Sequence, residues 1–185
     1  NTHAPWLASR LSELGFDVWE IACVGDDRER IRDALRRLGA RARVLIVTGG
    51  LGPTPDDLTV VAAADAAGVA VVRDPVTLEA LRRKAIAYAK PLSPSLEKLA
   101  DIPEGAEILG NPMGLSCGFR MTIGQADCFF LPGNAAEMSR LYEETVVRRI
   151  VTMVEPRSYH VVLRTCGLPE SAVAEKLSGI DRLFA

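Results

Sequence analysis

Apolar residues recur at Ala4, Leu7, Ala8, Leu11 and Leu14, the spacing of one helix face, with Thr2 placed to cap the helix and Gly15 to stop it. Phe16 to Val24 alternates and carries β-branched and aromatic residues, so it reads as a strand. Asp26 then stands as the cap of a helix whose Ile31, Ala34, Leu35 and Leu38 form an i, i+3, i+4, i+7 stripe, ending at Gly39. Val44 to Thr48 is apolar almost throughout, as expected of a strand covered on both faces. An Ala-rich helix, Leu58 to Ala67, ends at Gly68 and leads into a short strand, Val69 to Val72. Asp74-Pro75 opens another helix with Leu78, Leu81, Ala85 and Tyr88 inward.

After a loop and a short helix around "KPLSPSLEK", "CGFRMTIGQADCFFLPG" reads as two strands turning at Gly124-Gln125. A long helix is expected from Asn134 to Val154, broken at Glu155-Pro156, with one further strand and helix beyond. Helices alternating with strands predict an α/β fold with a mostly parallel sheet and helices on both faces. In such sheets ligands sit beyond the carboxyl ends of the strands, which puts Asp26 and the segment after Thr48 on one rim.

That segment, "VTGGLGPTPDDLT", carries the candidate chemistry. Gly49, Gly50 and Gly52 allow positive φ and close backbone approach, and successive amides ahead of a helix form an anion site. Pro53 and Pro55 stiffen it. Asp56 and Asp57 would repel a phosphate unless a cation lay between, which suits magnesium on one or two carboxylates and phosphate oxygens. Thr59 offers a hydroxyl or a cap. The plainer reading is a turn, with Asp56 capping the helix and Asp57 favouring its N-terminal dipole.

Composition narrows the field. With 48% hydrophobic and 25% charged residues, the 185-residue chain is ordinary for a soluble domain. A net charge of −2 gives no pull towards nucleic acid or an anionic membrane, and no apolar run nears the roughly 20 residues that span a bilayer. Cys23, Cys117, Cys128 and Cys166 lack paired spacing. Cys23 and Cys128 read as small core residues, and the compartment as reducing cytoplasm. The arginine-rich run from Arg28 to Arg43 interleaves with acids and an apolar stripe, so it reads as a solvated helix face. His3 and His160 have no partner spacing, and Trp6 and Trp19 lack a basic setting for single-strand binding. The chain opens on Asn1 rather than methionine, so residues are expected ahead of it.

The run "TGGLGPTPDDLT" resembles the signature of the competence/damage-inducible protein A (CinA) family. The likeness continues through "VGDDRERI", "IPEGAEILGNPMG", "GF" and "LPG…EM". The parent superfamily binds molybdopterin, and its G-G-x-G-x-x-x-x-D-x-T pattern matches Gly49, Gly50, Gly52, Asp57 and Thr59. The resemblance implies a three-layer αβα domain over residues 1–155, often dimeric, with 156–185 as the beginning of a small second α+β domain. It also implies a first strand ahead of Asn1 that brings a further acid.

The activity implied is hydrolysis of ADP-ribose with a divalent metal, Mg2+ or similar, and potassium. Phosphate contacts would come from Thr48, Gly49, Gly50, Gly52, Pro53, Thr54, Asp56 and Thr59, and from Pro132, Gly133 and Asn134. Asp57 and Asp56 would hold the metal, and Asp57, Asp26 and Glu137 are the catalytic candidates. Capping-box chemistry explains Glu137 almost as well. Two rivals remain: a binding module or nucleotidyl-transfer relative acting on molybdopterin, its loop gripping the pterin phosphate, and a scaffold without catalysis, the latter resting on Leu99 and Ala135, where the family pattern differs.

Overall fold

Gly15, at φ 90°, stops the first helix at the expected place. The computed structural model describes residues 2–87, 91–154 and 164–180. In chain order the helices are α1 (His3–Glu13), α2 (Arg28–Gly39), α3 (Thr59–Ala67), α4 (Pro75–Ala87), α5 (Pro94–Glu97), α6 (Ala135–Leu141), α7 (Val147–Ile150) and α8 (Glu170–Leu177). The strands are β1 (Val44–Thr48), β2 (Val71–Arg73), β3 (Asp101–Pro103), β4 (Glu107–Leu109), β5 (Gly118–Ile123) and β6 (Ala126–Leu131).

The main sheet runs β1-β6-β5-β4, and β2 and β3 form a small sheet of their own. β1 and β6 pair in parallel, Val44 against Asp127 through Thr48 against Leu131. β6 with β5 and β5 with β4 pair antiparallel, so the α/β layering carries mixed pairing. The hairpin between β5 and β6 turns on Gly124, at φ 63°.

Strand alternation on β6 builds a core on each face. Phe129 and Leu131 meet Leu7 of α1 and Met138, Leu141, Tyr142, Val146 and Ile150 on one side. Cys128 and Phe130 meet Leu35 of α2, Ala63 of α3, and Phe119 and Ile123 of β5 on the other. Phe119 and Phe130 stack with centroids 4.3 Å apart. Each such side chain contributes about 1.5–3 kcal/mol on full burial, which makes β6 the centre of the fold.

Several local expectations are corrected. Thr2 is already helical (φ −96°, ψ −18°) and makes no side-chain capping bond. Asp27, not Asp26, caps α2: it is extended, and its carboxylate accepts from the Arg30 amide at 2.9 Å. The segment 16–24 forms no strand, because nothing among the described residues pairs with it. Between it and the outer edge of β1 lies a cavity of about 410 Å³, with an apolar lining that includes Leu7, Leu11, Ile31, Leu35, Val44 and Ile46. Cys23 is exposed rather than part of the core, whereas Cys128 is buried and its thiol is pushed up to about 12 by desolvation.

The helix expected from Asn134 to Val154 is α6, a π-type turn over Tyr142–Val146, α7, and a 3₁₀ turn over Val151–Met153; Val154 is extended. The chain divides into two compact units, Asn1–Glu155 and Pro156–Ala185. Tyr88, Pro156, His160 and most of the expected last strand lie outside the described residues. Among the described residues no helix is long and apolar enough to cross a membrane.

Candidate anion site at the glycine turn

β1 ends at Thr48, and the backbone turns left-handed at Gly49 (φ 91°) and Gly50 (φ 68°). Three bonds set the turn. The Gly49 amide donates to the Leu131 carbonyl at 3.0 Å, the Thr59 amide to the Gly50 carbonyl at 3.1 Å, and the Thr59 hydroxyl to the Gly49 carbonyl at 2.9 Å. Thr59 is therefore a tie between α3 and the turn. α3 begins after Leu58 without any side-chain cap, so beyond the Thr59 amide, which the Gly50 carbonyl takes, its first-turn amides have no side-chain acceptor.

The second motif comes close behind. A Cβ on Gly133 would stand 3.3 Å from the Cα of Gly49, so Pro132-Gly133 backs directly onto the turn. Asn134 is the cap of α6, its side chain accepting from the amides of Ala136 and Glu137. Its Oδ1 is thereby committed to the helix.

The acids separate into two kinds. Asp26 is exposed and lines the same cavity as Thr48, Gly49, Gly50 and Thr59, with Asp17 and Glu20 also in the lining. Asp57 is half-buried and turned back into its own loop, Oδ2 accepting from the Thr54 amide at 2.9 Å and from the Thr54 hydroxyl. Burial works against its charge, but the Thr54 hydroxyl, the amides of Gly52 and Thr54 and the nearby Lys98 ammonium outweigh it and hold the carboxyl below its usual range. Glu137 accepts from the side-chain amide of the buried Asn111, which also donates to the Ser116 carbonyl at 2.9 Å and accepts from the amides of Met113 and Gly114. Glu137 thus holds the 111–116 loop.

The two aspartates of the motif face different surroundings. Asp57 spends Oδ2 on Thr54, Asp56 is exposed beside it, and among the described residues no group of three or more His, Cys, Asp or Glu could hold a metal ion. The cation that does stand at the loop is Lys98, whose ammonium donates to the carbonyls of Thr54 and Asp57 at 2.6 and 2.9 Å. The sequence reading assigned it no role. It lies just before β3, a strand that the apolar pattern did not reveal. Four of the α2 arginines are engaged elsewhere: Arg28 with Asp65, Arg32 with Asp33, Arg36 with the Asp65 and Ala66 carbonyls, Arg37 with Glu20.

Residues 1–152 match the family model described as a probable molybdopterin binding domain. A CinA-like protein of Citrifermentans bemidjiense is 44% identical over 179 residues, covering 97% of this chain and 43% of that protein. A CinA-like protein of Myxococcus xanthus is 39% identical, covering 92% and 42%. The chain thus spans less than half the length of these curated relatives. Among solved structures, CinA from Thermoplasma acidophilum, described as of unknown function, matches with a TM-score of 0.74 at 30% identity over 82% of this chain and 87% of that one. The molybdopterin biosynthesis Mog protein of Mycobacterium ulcerans shares the fold, with a TM-score of 0.52 at 23% identity over 83% and 84%.

Proposed function

Because the chain belongs to the probable molybdopterin binding domain family, in its CinA-like branch, we propose that it binds a phosphorylated small molecule at the Gly49–Gly52 turn and hydrolyses the pyrophosphate of ADP-ribose or a related nucleotide. The observation that carries this reading is that Gly49, Gly50, Thr59 and Asp26 all line one cavity. Phosphate oxygens accept from amides of the turn other than those of Gly49 and Gly52, which are engaged within the fold, and from the uncapped first turn of α3 beyond Thr59, where the helix dipole is positive. Asp26 makes no side-chain hydrogen bond or ion pair among the described residues, so its carboxylate is left to take a proton from water. The water oxygen attacks one phosphorus, the bond to the bridging oxygen breaks, and AMP and ribose 5-phosphate leave. ADP-ribose is chosen because residues 48–59 resemble the CinA signature.

The same turn would seat the phosphate of a pterin, the reading that the description of the matching family favours. The test is AMP release from ADP-ribose by the full-length protein, with and without Mg2+ and K+, beside a molybdopterin titration. Turnover that Asp26→Asn abolishes supports the hydrolase. Molybdopterin binding without turnover supports the pterin reading, and neither supports a scaffold without catalysis.

A further inference from the structure

Beneath the turn, Asp57 and Lys98 line a second, small cavity of about 50 Å³ with Leu51, Gly52 and Cys117. Neither lines the larger cavity that holds Asp26. Their bonds converge on one short segment. Thr54 is held at three atoms: its amide and hydroxyl by the Asp57 carboxylate, its carbonyl by Lys98 Nζ at 2.6 Å. Asp57 is held by its carboxylate and, at its carbonyl, by the same ammonium. The Asp57 amide closes the segment by donating to the Thr54 carbonyl at 3.2 Å. Gly52 rests against that carboxylate so closely that a Cβ there would collide with it. A half-buried lysine with two of its three donors on one loop, from 41 and 44 residues away, joins the β3 side of the domain to the turn.

We propose that Lys98 and Asp57 are positioning residues. Together they fix residues 52–57, and through Gly52 the Gly49–Gly50 backbone, in its anion-receiving shape before any ligand arrives; Asp57 serves the site as this brace and not as a metal ligand. The reference to an anion rests on the reading proposed above. A turn shaped in advance spares the ligand the ordering cost, which appears as affinity. The ammonium also offsets the charge of Asp57, so the acid inside the turn does not repel a phosphate.

The test uses the full-length protein and four variants: Lys98→Met, Thr54→Val, Asp57→Ala and Asp57→Asn. Hydrogen exchange without ligand should quicken about tenfold or more over residues 49–57 in Lys98→Met and Asp57→Ala, with β6 unchanged. Asp57→Asn keeps an oxygen that accepts from Thr54 and should stay near wild type. Where ADP-ribose is hydrolysed, Lys98→Met and Thr54→Val should raise KM about tenfold with kcat changed less than about threefold. The Mg2+ concentration for half-maximal rate should not move in Asp57→Asn. If the protein does not turn over ADP-ribose, the hydrolase reading fails and exchange alone decides the brace. Wild-type exchange over 49–57 in both Lys98→Met and Asp57→Ala overturns the proposal. So does an Asp57→Asn protein that keeps slow exchange yet needs about tenfold more Mg2+.

Discussion

A side chain at Gly50 would collide with the hydroxyl of Thr59, which already donates to the carbonyl of Gly49. At Gly49 itself a Cβ meets nothing within 4 Å. The two neighbouring glycines are therefore needed for different reasons. Both have positive φ, which costs another residue about 1–2 kcal/mol, but only Gly50 adds a steric conflict. Gly50→Ala is expected to cost about 2–3 kcal/mol, a melting-temperature drop of roughly 4–12 °C for a domain of this size, and Gly49→Ala clearly less. Thermal unfolding of the two variants side by side checks the order.

The apolar pattern carried the layers because its periodicities are strong where two elements share a core. The stripe through Leu35 and the alternation of Cys128, Phe129, Phe130 and Leu131 are what pack α2 and β6. It misled at Phe16 to Val24, where alternation persists but a strand exists only with a ladder partner. It also missed β3 and β4, three residues each, too short for a period to show. At the site, glycine positions were legible since their demand is local. The direction a carboxylate faces is not local: Asp57 and Glu137 are turned by Thr54 and Asn111, and Lys98 reaches the loop from another part of the domain.

Glu137 should behave as a brace of the 111–116 loop. Glu137→Gln keeps an oxygen for the Asn111 amide and is expected to retain turnover within about threefold, with melting changed by a few degrees at most. Glu137→Ala leaves the buried Asn111 amide short of one acceptor, which costs about 1–3 kcal/mol. A general base would show the opposite sensitivity, with the glutamine variant losing about a hundredfold or more in kcat. Melting curves and steady-state rates on both variants separate the two roles.

Asp26 is expected to be the reverse case. It is exposed and has no hydrogen-bonded or ionic side-chain partner among the described residues, so Asp26→Asn should leave melting within about 0.5 kcal/mol of wild type. If it takes the proton from water, kcat for ADP-ribose falls by about a hundredfold or more. The neighbouring Asp27 supplies the control. Asp27→Ala removes the α2 cap and should cost about 0.5–2 kcal/mol of stability while leaving kcat largely intact.

Acid should reveal what Asp57 contributes. Its folded pKa lies below the ordinary aspartate value, held there by the Thr54 hydroxyl, the amides of Gly52 and Thr54 and the charge of Lys98 against the opposing cost of burial. A group whose pKa is depressed on folding stabilises the protein fully above its unfolded pKa, about 3.9 for aspartate, and loses that contribution as pH falls through the folded value. Asp57→Asn cannot ionise and has no such dependence. The stability gap between wild type and Asp57→Asn should therefore be constant near neutrality and narrow only below about pH 4. Denaturant unfolding of both proteins from pH 7 down to pH 3 measures it. A gap that stays constant across this range would mean that the Asp57 charge takes no part in holding the turn.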